Sequence, residues 1–434
     1  MLLLEAIILG NTPVNEFNYT NGFLFAEKIS LQKIAEEIGT PFYCYSKNAI
    51  VKNFLNFKKA FKNFPTMVCF AVKANSNLSV LRILSKLGAG ADVVSMGELM
   101  KALSAGIDPK KIIFSGVGKS REEISKALGI GIKQFNVESE SEFMEITNLA
   151  KKAHRVASVS LRINPNVIAK THRKITTGSH DDKFGITCEQ AIRLFQKSSE
   201  MQEVNIIGLA IHIGSQITKV APFKEAFDVI RKLANDLKRM NFQLQNVDVG
   251  GGLGIQYANE NTVSLKNYSR IVSSLINSLQ CGLILEPGRF IVADAGVLVT
   301  KILRLKSNGR KHFIIVDSAM NDFIRPAIYD AYHKIIPLKK TKIQNSKSAK
   351  KWDIVGPICE SSDTFARNRI FRDPKENDIL AICSTGAYGF VMSSNYNSRQ
   401  HIPEILISGK KYALIRKRQK MEHLIKTDIL PRWL

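Results

Sequence analysis

From residue 66 to residue 290 the chain alternates between two hydrophobic rhythms. Short apolar runs occur at 68–72 (VCFAV), 92–94 (DVV), 112–114 (IIF), 134–137 (QFNV), 157–163 (ASVSLRI), 206–211 (IIGLAI), 246–249 (NVDV) and 283–285 (LIL). Nearly continuous apolar runs of this length read as strands buried on both faces. Between most of them, apolar residues recur every three or four positions, which predicts helices. Leu78, Leu81 and Leu84 follow polar Asn77, Leu99 pairs with Leu103, and Ile124 with Ala127 and Leu128. Pro222 stands at the start of a longer stretch with Phe223, Phe227, Ile230 and Leu233 on one side. Strands alternating with helices point to parallel β/α units. Eight such units in about 225 residues predict an α/β fold of the closed, TIM-like (β/α)8 barrel type, with an open doubly wound sheet as the competing arrangement.

The flanks carry a different pattern. Residues 1–45 and 297–434 hold short alternating runs, among them GVLVTKILRLK, KHFIIVDS, DILAIC and EILISG, separated by turn signals such as SNG and SGKK. That predicts a mostly antiparallel β domain, sandwich- or barrel-like, built from both chain ends. The expected organisation is a barrel over 46–296 and a β domain over 1–45 and 297–434. One connection inside the barrel, 164–187, is long and structureless in pattern and carries His172 and Lys183. A loop of that length is expected to be functional, for instance as a lid.

Composition sets limits on this picture. A chain of 434 residues exceeds one ordinary core. Its apolar runs all fall short of the roughly 18 residues that a membrane span needs. The start, MLLLEAIILG, is short, interrupted by Glu5 and without a basic lead, so a secretory signal is not expected. Six scattered cysteines without a C-x-x-C pair fit reduced thiols in the cytoplasm better than disulfides or a zinc site. The net charge of +24 raises the class of nucleic-acid or anionic-surface binders. The basic runs at 334–351 and 410–420 have few interleaved aromatics, however, so solvated lysines are the favoured reading.

Candidate chemistry collects where the predicted strands end, the side on which barrels of this type place their catalytic groups. The first strand ends at Lys73, the second opens with Asp92, and the fifth carries Arg162. The sixth runs into HIGSQ, with His212 and Ser215, the seventh into Gly250–Gly251–Gly252, and the eighth into Glu286, Gly288 and Arg289. Glycines after a buried strand let the backbone approach a ligand and offer N–H groups to an anion, and loops seven and eight are the usual phosphate loops. The spacing does not match the G-x-G-x-x-G of a dinucleotide site. Lys73, at the end of a buried strand, can serve as a nucleophilic amine that forms a Schiff base with a carbonyl. Pyridoxal 5'-phosphate joins such an aldehyde to a phosphate, and its ring nitrogen needs a carboxylate partner, a place Glu286 can take. A snorkelling or ion-paired lysine is the plain alternative for Lys73, and local pairing with Arg289 for Glu286. His212 offers a base or a flat surface to stack on the ring. No second His or Cys stands at ligand spacing, so no metal is expected.

These residues sit in longer blocks: FAVKANSN, GAGADVVSMGEL, HIGSQIT, GGGLGI, EPGRFIV, AMNDFIRPAIYDAYH, VGPICESSDTFARNR and GAYGFVMSSNYNSR. Together, in this order and over nearly the whole chain, they resemble the diaminopimelate decarboxylases. Those enzymes belong to the fold-type III pyridoxal-phosphate group, with alanine racemase and ornithine decarboxylase as relatives. The resemblance implies a homodimer with shared active sites, Lys73 as the Schiff-base lysine and His212 stacked on the ring. It implies Ser215, Gly250, Gly251, Gly252, Gly288 and Arg289 at the phosphate, Glu286 at the ring nitrogen, and Asp92 and Tyr388 at the cofactor. Cys359, contributed by the other subunit, would be the proton donor. Arg289, Arg325, Tyr329, Glu360 and Tyr388 would recognise a substrate with an amino-acid group at each end. Guanidinium groups suit its distal carboxylate and Glu360 its distal ammonium. Four positions depart from the expected pattern: Ser362 in place of glycine, the pair Ser384–Thr385, and Phe290 in place of a small residue. Alternatives are a related decarboxylase for ornithine, arginine or carboxynorspermidine, and, outside enzymes, a silent relative or a basic nucleic-acid binder.

Overall fold

A computed structural model describes residues 16–168, 177–178, 182–340 and 349–434. The apolar start at 1–10, His172 and the middle of the lysine-rich run, 341–348, lie outside the described residues. The chain divides into two compact units, Val51–Ile291 and, together, the N-terminal segment through Ile50 with Val292–Leu434.

In the first unit eight parallel strands close into a barrel: Thr66–Ala71, Gly90–Val93, Ile112–Phe114, Gln134–Val137, Ala157–Ile163, Val204–Ile211, Asn246–Asp248 and Gly282–Leu285. Closure is made by the eighth strand pairing with the first, Leu283 opposite Thr66 and Leu285 opposite Val68, which excludes the open sheet. The second strand starts at Gly90, so Asp92 is its third residue rather than its first. The first strand stops at Ala71, and Lys73 occupies the middle of a 3-10 turn, Val72–Ala74.

The helices start where side chains cap them. Asn77 Oδ1 accepts from the Ser79 amide at 2.9 Å ahead of Leu78–Lys86. Ser120 with Glu123, and Thr187 with Gln190, form complete capping boxes at Arg121–Ile130 and Cys188–Ser198. Each such cap is worth about 1 kcal/mol. Ala221–Arg239 buries Phe223, Phe227, Ile230 and Leu233 as its spacing predicts. Leu78 differs: it is exposed, and Val80 and Ile83 join Leu81 and Leu84 on the inner face. A residue at the first helical position can point past the buried stripe.

In the second unit, Phe42–Ser46 lies between Gly296–Asn308, which it meets antiparallel, and Glu404–Ser408, which it meets parallel. Gly296–Asn308 also pairs antiparallel with Lys311–Val316 and with Ile379–Ile382. The sheet is mixed, because Lys311–Val316 and Ala349–Val355 run parallel. Phe42, Cys44, Val297, Val299, Ile405 and Ile407 are completely buried in its core. Several charges of the basic runs have structural partners. Lys339 and Lys340 lie over the rings of Phe23 and Tyr19, and Arg416 pairs with Glu404 and covers Phe390. Among the described residues, no helix is long and apolar enough to cross a membrane.

Candidate active site

The C-terminal ends of the barrel strands surround a cavity of about 180 Å³ whose wall includes Lys73, Asn136, Arg162, His212, Asp248 and Glu286. Lys73 reaches it from the turn after the first strand, and its ammonium pairs with Asp92 Oδ2. Asp92 is fully buried, and its Oδ1 has no hydrogen-bond partner among the described residues. A buried carboxylate oxygen left unsatisfied is costly and marks a place where a donor is missing.

Across the cavity, Glu286 follows the eighth strand and Asp248 ends the seventh, both buried. Burial pushes the Glu286 pKa well above the ordinary carboxyl range, and the neighbouring Asp248 and Asp92 push it further. Asp248 is raised as well, chiefly by burial. Hydrogen bonds oppose that rise at Asp248: the Gly250 amide donates to its Oδ1 at 2.9 Å and Asn136 Nδ2 to its Oδ2 at 3.0 Å. The proton of the pair therefore resides on Glu286. Asn136 is itself oriented by Gln134, whose Nε2 donates to Asn136 Oδ1 at 2.9 Å.

This pair makes stability pH-dependent. A carboxyl whose pKa is higher in the fold than in the unfolded chain binds extra proton in the native state, so stability falls as pH rises from the ordinary carboxyl range through the raised value. In cofactor-free protein, Glu286→Gln is expected to gain stability relative to the parent as pH goes from about 5 to about 8. Thermal melts across that range provide the check; a constant difference would show that the side chain is not held protonated.

His212 follows the sixth strand. Burial, then the charges of Arg162 and Lys73, hold its pKa well below the usual imidazole range. The Gly251 amide donates to its Nδ1 at 3.2 Å, which leaves the hydrogen on Nε2 and makes the ring neutral. Its backbone carbonyl accepts from Thr177 Oγ1 at 2.9 Å and from Arg162 Nη2 at 3.5 Å.

The glycine run does more than leave room for a ligand. A Cβ on Gly250, Gly251 or Gly252 would lie 2.5, 2.3 or 2.4 Å from the carbonyl oxygens of Ile211, Glu286 and Gly214. The three residues are wedged between the loops after strands six and eight. Two of their amides already serve Asp248 and His212, so free N–H groups are not the whole reason for the run. Beside them, buried Arg289 donates to Ser215 Oγ at 2.8 Å and to Tyr257 Oη at 2.7 Å. Gly288 packs against Ala74 and Ala71, where a Cβ would come within 2.9 Å of the Ala74 methyl. Phe290 packs on Phe57 with ring centroids 5.5 Å apart and is not part of the cavity wall. Gly251→Ala is expected to cost about 1–3 kcal/mol, because the new methyl meets backbone that cannot step aside. Urea melts test the cost, and a spectroscopic pyridoxal-phosphate titration tests the accompanying loss of affinity.

Sequence reasoning missed Glu138, Asn136 and Asp248. Glu138 accepts from Arg162 Nη1 at 2.6 Å, from the Gly116 amide at 3.1 Å and from the Gly185 amide at 3.0 Å. It thus ties the end of the long loop to the rim. The available signal was, for Asn136 and Asp248, polar residues inside fully buried strands, QFNV and NVDV, which a soluble core tolerates only when they are bonded, and, for Glu138, an acid directly after QFNV.

Cys359, Glu360, Arg325, Tyr329 and Tyr388 belong to the other unit. There Asp363 accepts from the amides of Met320 at 2.7 Å and Ile358 at 2.8 Å, which joins the loop before Arg325 to the loop of Cys359. Cys359 is exposed, and its amide donates to Asn397 Oδ1 at 3.2 Å. Glu360 accepts from the Ser362 hydroxyl and, at 2.9 Å, from Tyr396, and these bonds hold its carboxyl below the usual range. Ser362, unexpected at its position, thereby acquires a role. Tyr388 has φ +55°, a left-handed conformation rare for a bulky residue. Arg325 is buried and opens the short helix Arg325–Tyr329.

Residues 34–293 match the family model of the pyridoxal-dependent decarboxylases, pyridoxal binding domain. The chain is 44% identical to diaminopimelate decarboxylase of Zymomonas mobilis, covering 96% of this chain and 99% of that protein. It is also 44% identical to the enzyme of that name from Vibrio cholerae, over 94% and 97%. Among solved structures it is similar to diaminopimelate decarboxylase from Helicobacter pylori complexed with L-lysine, with a TM-score of 0.87 and 42% identity over 91% of this chain and 98% of that one. The same enzyme from M. jannaschii, in co-complex with L-lysine, gives a TM-score of 0.92 and 38% identity over 98% and 100%.

Proposed function

This chain belongs to the diaminopimelate decarboxylase family of pyridoxal-dependent decarboxylases, and from that premise we propose that it removes the carboxyl group at the D-centre of meso-2,6-diaminopimelate to yield L-lysine and carbon dioxide, the last step of lysine biosynthesis. The observation that carries the reading is one cavity walled by an amine, a neutral imidazole and a proton-bearing carboxyl, beside a rim with a buried guanidinium.

The residues present fit pyridoxal 5'-phosphate. The orphaned Asp92 oxygen asks for a donor, Glu286 holds a proton where nothing else on the eighth strand could, and Arg289 with Ser215 suits an anion. When bound, the cofactor supplies an electron-accepting ring that takes up the electron pair left by departing carbon dioxide. Lys73 is its covalent anchor. Glu286 would hold a proton at the ring nitrogen, with Asp248 and Asn136 keeping the carboxyl in place. His212, neutral and fixed by the Gly251 amide, offers a flat surface without adding charge. Ser215, Gly250, Gly251, Gly252, Gly288 and Arg289 hold the phosphate.

Arg325 and Arg289 bind the distal carboxylate, Glu360 the distal ammonium, and Tyr329 and Tyr388 close around the substrate. Cys359 delivers the proton that completes lysine. The assembly in this reading is a homodimer that shares Cys359 between subunits. A cytoplasmic location agrees with six cysteines that are all free thiols.

Carbon dioxide release from meso-diaminopimelate, ornithine, arginine and carboxynorspermidine, with lysine identified by mass spectrometry, tests the substrate. Ornithine lacks the distal carboxylate and would leave buried donors unpaired, so its kcat/KM is expected to be lower by roughly 10⁴. Turnover of ornithine without turnover of diaminopimelate would replace this reading.

A further inference from the structure

Arg325 is 5% exposed, and its Nη1 lies 2.8 Å from Nε2 of His333. His333 is completely buried, and its Nδ1 lies 2.8 Å from the carbonyl oxygen of Cys383. A carbonyl only accepts and a guanidinium only donates. Nδ1 therefore carries the hydrogen, Nε2 presents its lone pair to Arg325, and the imidazole is neutral in a single tautomer.

The ring is fixed from several sides. Phe323 meets it edge to face at 4.7 Å between centroids. The Cys383 carbonyl is set by the ladder in which Cys383 donates to the Lys334 carbonyl at 2.8 Å, next to the pairing of Ile335–Pro337 with Ile379–Ile382. Arg369 Nη2 donates to the His333 carbonyl at 3.3 Å.

We propose that His333 is a positioning residue for substrate recognition: it holds the Arg325 guanidinium in one orientation toward a ligand carboxylate and, being neutral, does not itself cancel the guanidinium charge. A carboxylate in the place of His333 would form a salt bridge and cancel that charge. A neutral imidazole occupies one N–H and cancels nothing. The inference rests on the reading of Arg325 as a carboxylate-binding group.

The test uses holoenzyme and two ligands, L-lysine and 1,5-diaminopentane, which is lysine without its carboxylate. His333→Asn keeps a donor for Cys383 but is too short to reach Arg325, whereas the side-chain carbonyl of His333→Gln reaches the place of Nε2. His333→Asn is expected to weaken L-lysine binding about tenfold by calorimetry and to raise KM for meso-diaminopimelate more than it lowers kcat. Affinity for 1,5-diaminopentane should not change, and His333→Gln should recover most of the L-lysine affinity. Equal losses for the two ligands, or no loss for L-lysine, would overturn the proposal. Arg325→Met tests the premise separately: unchanged L-lysine affinity there would remove the role of Arg325 itself. If the His333→Asn protein does not fold, ¹⁵N NMR of the parent holoenzyme decides. The His333 ring signals should show the Nδ1–H tautomer and respond to L-lysine but not to 1,5-diaminopentane; a doubly protonated or unresponsive ring contradicts the proposal.

Discussion

Replacing Lys73 by alanine is expected to lower kcat by roughly 10³-fold or more while leaving the fold intact. The side chain is only 65% covered and projects from the middle of a turn rather than filling the core, so circular dichroism should change little, while the melting temperature falls because buried Asp92 loses its cation. What is lost is chemical. Lys73 carries the amine of the cavity wall that anchors an aldehyde, and its ammonium balances buried Asp92. Pyridoxal phosphate should also be retained less well on gel filtration. Activity near that of the parent would mean that another amine does the work, and the assignment of the barrel mouth would fail.

Glu286→Gln is the second large effect, expected at roughly 10²-fold in kcat, with smaller changes in KM and cofactor occupancy. Glutamine keeps the shape and can still meet Asn136, but its amide has no proton of suitable acidity to give. The parent carboxyl keeps its proton because burial, Asp248 and Asp92 all oppose ionisation. A pH–rate profile separates this from a packing defect. The parent should lose activity on the alkaline side as the proton that Glu286 holds at the ring nitrogen is lost, and the variant should lack that limb. A variant with the parent's profile and only a weaker KM would assign Glu286 to binding alone.

How far the sequence carries depends on how local each feature is. The barrel strands were legible because strands buried on both faces need uninterrupted apolar runs, and the helices between them because a buried stripe repeats every three or four residues. Closure was read from the count of eight units and not from any local pattern, since the pairing of Leu283 with Thr66 joins residues far apart in sequence and an open sheet demands the same local pattern. The parallel pairing of Phe42–Ser46 with Glu404–Ser408 was hidden for a related reason: alternation reports which face is buried, not which way the neighbour runs.

Within the site, Lys73, His212 and Glu286 stood out because each follows directly on a buried strand. Asn136 and Asp248 did not, because a polar residue within a strand reads only as a weaker strand until its partners are known. Glu138, which does follow directly on a strand, was passed over because an acid there also reads as a solvated loop residue. Cys359, Arg325 and Tyr388 became candidates through resemblance, since no local pattern marks a thiol or an arginine in a β domain as functional. His333 closes the block AMNDFIRPAIYDAYH but nothing local marked it; its role depends on Cys383, fifty residues away.

The most direct test of the central claim is chemical trapping. Borohydride reduction of the purified holoenzyme, followed by proteolysis and peptide mass mapping, should place a single pyridoxyl group on Lys73. A pyridoxyl group on a different lysine, or an active enzyme that retains its cofactor but yields no modified lysine, would contradict the account.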